Sequence, residues 1–163
     1  MAIKRYVAEA DNTITNAFES NLATRATKAN MGAADVLETF VIHGQTSASI
    51  SAESAEEARI IIQFPISGTD TAIETIHRDR NDNKIPAQGK VSFYLRMFNA
   101  PHAESTPEDF DLDVKIISKS WSEGRGLDMD NYKDKTYDGV GSNWVRALAT
   151  DAKETGKVTI AND

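Results

Sequence analysis

The sequence predicts an all-β protein, an antiparallel β-sandwich with one or two short helices in its loops. Two observations carry that expectation. Several segments alternate apolar and polar residues with period two, and the chain between them is polar punctuation rather than long helical pattern. Runs of strands without intervening long helices pack as sheet on sheet.

Taken along the chain, residues 3–15 (IKRYVAEADNTIT) form a first strand candidate. Residues 35–44 (DVLETFVIHG) are apolar on both faces around Phe40, Val41 and Ile42, as an inner strand of a two-layer protein would be. Residues 53–59 (ESAEEAR) place Ser54 and Glu57 at capping-box spacing, which allows a single helical turn. Residues 57–64 (EARIIIQF) then put Ala58, Ile60, Ile62 and Phe64 on one face and Arg59, Ile61 and Gln63 on the other. Residues 70–80 (DTAIETIHRDR) suit a short helix capped by Asp70 or Thr71, and residues 80–89 (RNDNKIPAQG) an exposed turn.

The clearest alternation lies further on. In residues 89–98 (GKVSFYLRMF), Val91, Phe93, Leu95 and Met97 oppose Ser92, Tyr94, Arg96 and Phe98. In residues 109–116 (DFDLDVKI), Phe110, Leu112, Val114 and Ile116 oppose Asp109, Asp111, Asp113 and Lys115. One side of each should meet a core and the other water, so Phe64, Phe93, Leu95, Leu112, Val114 and Ile116 are expected inside. Residues 121–143 form a long excursion rich in glycine and aspartate, of a length that is functional or packed across an end of the fold. Residues 143–154 (NWVRALATDAKE) suggest a helix of two or three turns, and residues 157–161 (KVTIA) a weak last strand. One sandwich over residues 1–150, followed by a tail or last strand at 151–163, accounts for the chain.

The 163 residues carry 18 Lys+Arg against 25 Asp+Glu, a formal charge of −7, with 40% hydrophobic and 26% charged residues. That balance is globular, and its acidity argues against general nucleic-acid binding, which needs a basic surface. There is no cysteine, so disulfides, thiol nucleophiles and thiolate metal sites are excluded. No apolar run reaches the roughly 18 residues of a membrane helix. The opening MAIKRYVAEADN lacks the apolar stretch of a secretory signal, so synthesis in a bacterial-type cytoplasm is expected.

Chemical motifs are sparse. The string GVGSN around Ser142 is not a nucleophile elbow. His43, His77 and His102 show no metal-ligand spacing, and EGRGLD has only the first glycines of a dinucleotide loop. Asp109, Asp111 and Asp113 could pair as hydrolytic carboxylates across a cleft, but an alternating solvent face explains them equally. Asp128, Asp130, Asp134 and Asp138 fail the EF-hand pattern, as do Asp79, Asn81 and Asn83; a calcium site of another type at Asp128 or Asp130 stays open. No catalytic residue, resident metal or cofactor is expected. Trp121, Tyr132, Tyr137 and Trp144 bracket the long excursion. They are candidates for contact with a glycan or partner, or else plugs anchoring that loop to the core.

Six pieces occur in one order: ADNTIT at Ala10, NMGAADVLE at Asn30, EEARIIIQFPI at Glu56, IPAQGKVSFYLRMFNA at Ile85, SWSEGRGLDMD at Ser120 and GSNW at Gly141. Over roughly residues 6–146 the chain resembles the DNRLRE-type module, a jelly-roll sandwich similar to some carbohydrate-binding modules, in the form found in virion proteins of tailed phages. The matching positions are Ala10, Asp11, Thr13 and Ile14; Met31, Gly32 and Leu37; Arg59, Ile61 and Phe64; Ile85, Val91, Phe93 and Leu95; and Trp121, Glu123 and Gly124. The short C-terminal tail departs from the pattern.

The resemblance implies a non-enzymatic virion component made in the host cytoplasm: a capsid decoration or cement protein, or a neck, tail or fibre part. The alternative is a carbohydrate-binding module for adhesion to glycans. Self-association, with a homotrimer favoured, and contact with other virion proteins are expected, without nucleic acid or membrane. Lys4, Arg5 and Tyr6 at the chain end, and Ile61, Phe98 and Ile117 as outward apolar residues on neighbouring strands, are the expected assembly contacts.

Overall fold

The computed structural model describes residues 3–42, 55–68, 73–101, 109–128 and 130–148. Its regular elements are β1 (Ala10–Thr15), β2 (Phe40–Ile42), β3 (Glu56–Gln63) and one short helix, α1 (Ile76–Asn81). The strands form one sheet in the order β1-β3-β2. The described chain is therefore sheet-based with little helix, as the alternation predicts. It divides into two compact units, Met1–Glu9 with Ile62–Asp109, and Ala10–Ile61 with Phe110–Asp163.

β3 is the central strand. β2 runs antiparallel to it, with Phe40 opposite Ala58 and Ile42 opposite Glu56. The β1 side is antiparallel too: the Glu9 N–H donates to the Gln63 carbonyl at 2.8 Å and the Asn16 N–H to the Glu57 carbonyl at 3.1 Å. Asn16 closes this ladder, because its Oδ1 accepts from the Glu57 N–H at 2.7 Å. The expectation for residues 35–44 is corrected here. Among the described strands β2 lies at the sheet edge, with Val41 64% exposed.

β3 also corrects two readings. Glu56 and Glu57 belong to a strand and not to a helical turn; Ser54 lies outside the described residues. Ile61 is buried, at 3% exposure, whereas Ile60, Ile62 and Phe64 are half-buried. Three consecutive isoleucines carry no alternation, so the sequence could not choose which face turned inward, and a slip of one residue exchanges the faces. Ile61 is a core residue and no assembly contact.

The larger correction concerns residues 91–98 and 110–116. Neither segment belongs to a strand. Phe93 (61%), Leu95 (47%), Leu112 (49%), Val114 (81%) and Ile116 (86%) are exposed, not core. Alternation gives a segment one apolar face, but only a paired neighbour makes it a strand and only a second layer covers it.

Among the described residues of the second unit the buried apolar side chains are Ile14, Ala17, Ala26, Ala29, Met31, Ala58, Ile61 and Ala147. Polar side chains share this interior, with Asn12, Thr13, Thr15, Asn30, Ser142 and Asn143 at most 1% exposed. Such an interior holds only if each polar group finds a partner. In the first unit α1 starts at Thr75, whose hydroxyl accepts from the Arg78 N–H; Asp70 and Thr71, the expected caps, lie outside the described residues. Residues 143–148 form a turn closed by Asn143 and not the expected helix, with the Asn143 N–H donating to the Arg146 carbonyl at 2.8 Å. Residues 151–163 lie outside the description.

Candidate functional site

Asn30 is the hub of the second unit. Its amide Nδ2 donates to the carbonyls of Glu123 (2.8 Å) and Ser142 (2.9 Å). Its Oδ1 accepts from the N–H groups of Gly126 (2.7 Å) and Gly32 (3.2 Å). Asn12, from β1, donates to both the carbonyl and the hydroxyl of Ser142 and accepts from the Met31 N–H at 3.0 Å. The Asp11 N–H donates to the Glu123 carboxylate at 2.9 Å. Two glycines make the approach possible. A Cβ on Gly126 would lie 1.9 Å from the Asn30 carbonyl oxygen, and one on Gly141, at φ +79°, 2.5 Å from the Gly124 Cα. The pieces ADNTIT, NMG, WSEGRG and GSNW thus meet at one polar knot. The side chains of Asn12, Asn30 and Ser142 bond one another or the adjoining backbone, so the knot fastens distant pieces of chain, while the buried Asn143 Nδ2 beside it has no hydrogen-bond partner among the described residues.

The four aromatic candidates sit on that excursion in different settings. Trp121 and Trp144 are half-buried. The Arg59 guanidinium lies over the Trp144 ring at 4.6 Å while bonding Glu57 at 2.6 Å, so one stacking face of Trp144 is occupied from within the chain. Tyr132 is half-buried with φ +53°, a left-handed conformation costly for a bulky residue. Burial pushes its phenol up, opposed by a hydrogen bond with Thr15. Tyr137 is the open one, 40% exposed.

Next to them is an acidic group. Asp128 is 3% exposed. Burial pushes its carboxyl up to about 6; the Asp134 N–H pulls it down, and the charges of Asp138, Asp134 and Glu19 push it further up. Lys135 answers with 2.7 Å bonds to both Glu19 carboxylate oxygens. Among the described residues no three His, Asp or Glu side chains are placed to hold a metal ion, and no helix is long and apolar enough to cross a membrane.

In the first unit Asp79 is fully buried. The Tyr6 hydroxyl donates to its Oδ2 at 2.8 Å, Lys4 Nζ stands 3.2 Å from the same oxygen, and Lys84 Nζ is 3.3 Å from Oδ1. Lys4 also pairs with Glu74 at 2.5 Å. Lys4 and Tyr6 are therefore engaged inside their own unit, while Arg5, the third expected terminal contact, is exposed. Residues 5–9 with Pro65, Ile73 and Glu74 line an open groove of about 390 Å³, which holds no nucleophile–base pair. His77 is exposed on α1, while His43 and His102 lie outside the described residues.

What remains is surface. Phe98 is 78% exposed and Ile117 half-buried, and Phe98 is one member of an uncovered series. On residues 91–98 the exposed large apolar groups are Phe93, Tyr94, Leu95, Met97 and Phe98; on residues 110–116 they are Phe110, Leu112, Val114 and Ile116. The sequence signal for this surface was the alternation itself, which reads equally as core or as a face awaiting cover. Compared with protein families, curated proteins and solved structures, the chain finds no match.

Proposed function

We propose that the protein is a non-enzymatic structural component of a tailed-phage virion, built on a jelly-roll β-sandwich and working as a capsid decoration or cement protein or in the neck or tail. The observation that carries the structural role is the pair of exposed amphipathic segments, 91–98 and 110–116. Exposed apolar side chains clustered along a segment mark a site of association. The absence of cysteine suits a protein passing from a reducing cytoplasm to an oxidising exterior. The virion setting rests on the order of the six sequence pieces. Mass spectrometry of purified particles of the encoding phage tests it: the chain should be present, in hundreds of copies for a head protein or a handful for a neck or tail one. Its absence from particles overturns the reading.

The open ring of Tyr137 on the rim of the excursion favours a second reading, a carbohydrate-binding adhesion module. Binding on a glycan array that Tyr137→Ala abolishes would support it. Release of reducing ends from polysaccharide would contradict the non-enzymatic part of both readings.

A further inference from the structure

The two exposed segments are complementary to each other. Along residues 90–98 the polar face carries Lys90 and Arg96 and no acid, whereas along residues 109–116 it carries Asp109, Asp111 and Asp113 with Lys115. Among the described residues none of Lys90, Arg96, Asp109, Asp111 or Asp113 enters an ion pair. Arg96 stacks on Phe98 at 4.7 Å, which holds its charge on the polar side of the segment. Neither segment belongs to a strand of the described sheet, so pairing with an incoming strand would add a ladder rather than replace one.

We infer that residues 91–98 of one copy pair with residues 110–116 of a second copy, forming an intermolecular antiparallel ladder. The inference rests on the reading that the chain works in several copies, and it names the surfaces that join them. Antiparallel pairing is the more stable per residue. With Arg96 opposite Asp111, Asp109 and Asp113 become its diagonal neighbours, so one cation sits among three carboxylates. In that register Leu95 faces Leu112, Phe93 faces Val114 and Met97 faces Phe110, so both apolar faces lie on one side of the new ladder. No like charges stand opposite each other. The two surfaces differ, so the contact is heterologous and closes either as a reciprocal exchange between two copies or as a ring.

The missing cysteines make the test clean. Ser92→Cys and Lys115→Cys, placed in separate full-length chains, are mixed and oxidised; that register sets the two positions opposite one another, within disulfide reach. A disulfide-linked pair containing one chain of each kind is expected, and neither chain alone should form it. Sedimentation of Arg96→Asp should show self-association weakened by about tenfold or more, with recovery when Asp111→Arg is added to the same chain. Several outcomes overturn the inference: an intramolecular disulfide when Ser92→Cys and Lys115→Cys are instead combined in one chain, same-site linkage in either single-cysteine chain, or a protein monomeric at high concentration. The first two leave a multi-copy virion role standing, and particle mass spectrometry decides that role independently.

Discussion

Asn12 and Ser142 lie 130 positions apart, yet the Asn12 amide reaches both the carbonyl and the hydroxyl oxygen of Ser142 at 2.8 Å. With Asn30 bonded to the same carbonyl, this contact fastens the start of the first strand to the end of the long excursion. In an interior whose apolar members are mostly alanine, such bonds specify the arrangement more than apolar volume does.

Truncating that fastener should therefore be costly. Asn12→Ala strips the Met31 N–H and the Ser142 hydroxyl of their partner in a buried setting and leaves the Ser142 carbonyl with Asn30. Leaving buried groups unsatisfied should lower stability by about 2–4 kcal/mol. Urea unfolding measures it, and a loss below about 1 kcal/mol would show that water substitutes for the side chain.

Ile61 and Ile116 should respond in opposite ways to the same change. Ile61→Ala deletes core volume and is expected to cost about 2–4 kcal/mol. Ile116→Ala, at an 86% exposed position, should alter the stability of the isolated chain by less than about 0.5 kcal/mol. Equal losses in dilute monomer would mean that the segment 110–116 is covered after all.

Asp128 sets a pH dependence of definite sign. Its folded-state carboxyl titrates near 6, above the usual carboxylate range near 4. Between these values the folded chain binds the proton more tightly, so stability falls as pH rises from about 4 to about 6 and the deficit persists above. Burial raises Asp11, Glu38 and Asp138 in the same direction. Asp128→Asn keeps an acceptor for the Asp134 N–H, now at 3.1 Å, and should flatten the slope and raise the melting temperature at pH 7. An unchanged slope by calorimetry would assign the effect to the other three.

The Tyr6–Asp79 pair acts at both ends of the pH scale. The Tyr6 hydroxyl, then Lys4 and Lys84, hold the Asp79 carboxyl below its usual value against the opposing effect of burial. The stability it contributes is present above about pH 4 and is lost as pH falls through the lowered folded value. Burial, with Asp79 beside it, pushes the Tyr6 phenol up to about 12, so stability also falls as pH rises from about 10 to about 12. Tyr6→Phe should move the acid unfolding midpoint to higher pH and remove the late-titrating phenol from ultraviolet difference spectra. Loss of neither feature would separate Tyr6 from Asp79.

Residue pattern alone indicated the β character of the chain, strands within residues 3–15, 35–44 and 57–64, a short helix within residues 70–80, and the lack of any thiol chemistry. Those depend on local preference and composition, which each segment carries with it. Tertiary structure alone decided that Ile61 faces inward, because a run of three isoleucines has no phase until β1 and β2 flank it. It decided that Thr75 caps the helix, and that Asn12, Asn30 and Ser142, separate in the chain, satisfy one another. It also decided that Phe93, Leu95, Leu112, Val114 and Ile116 stand uncovered. Alternation records that a face is apolar; what covers that face is a matter of pairing between distant segments, which no single segment carries in its own pattern.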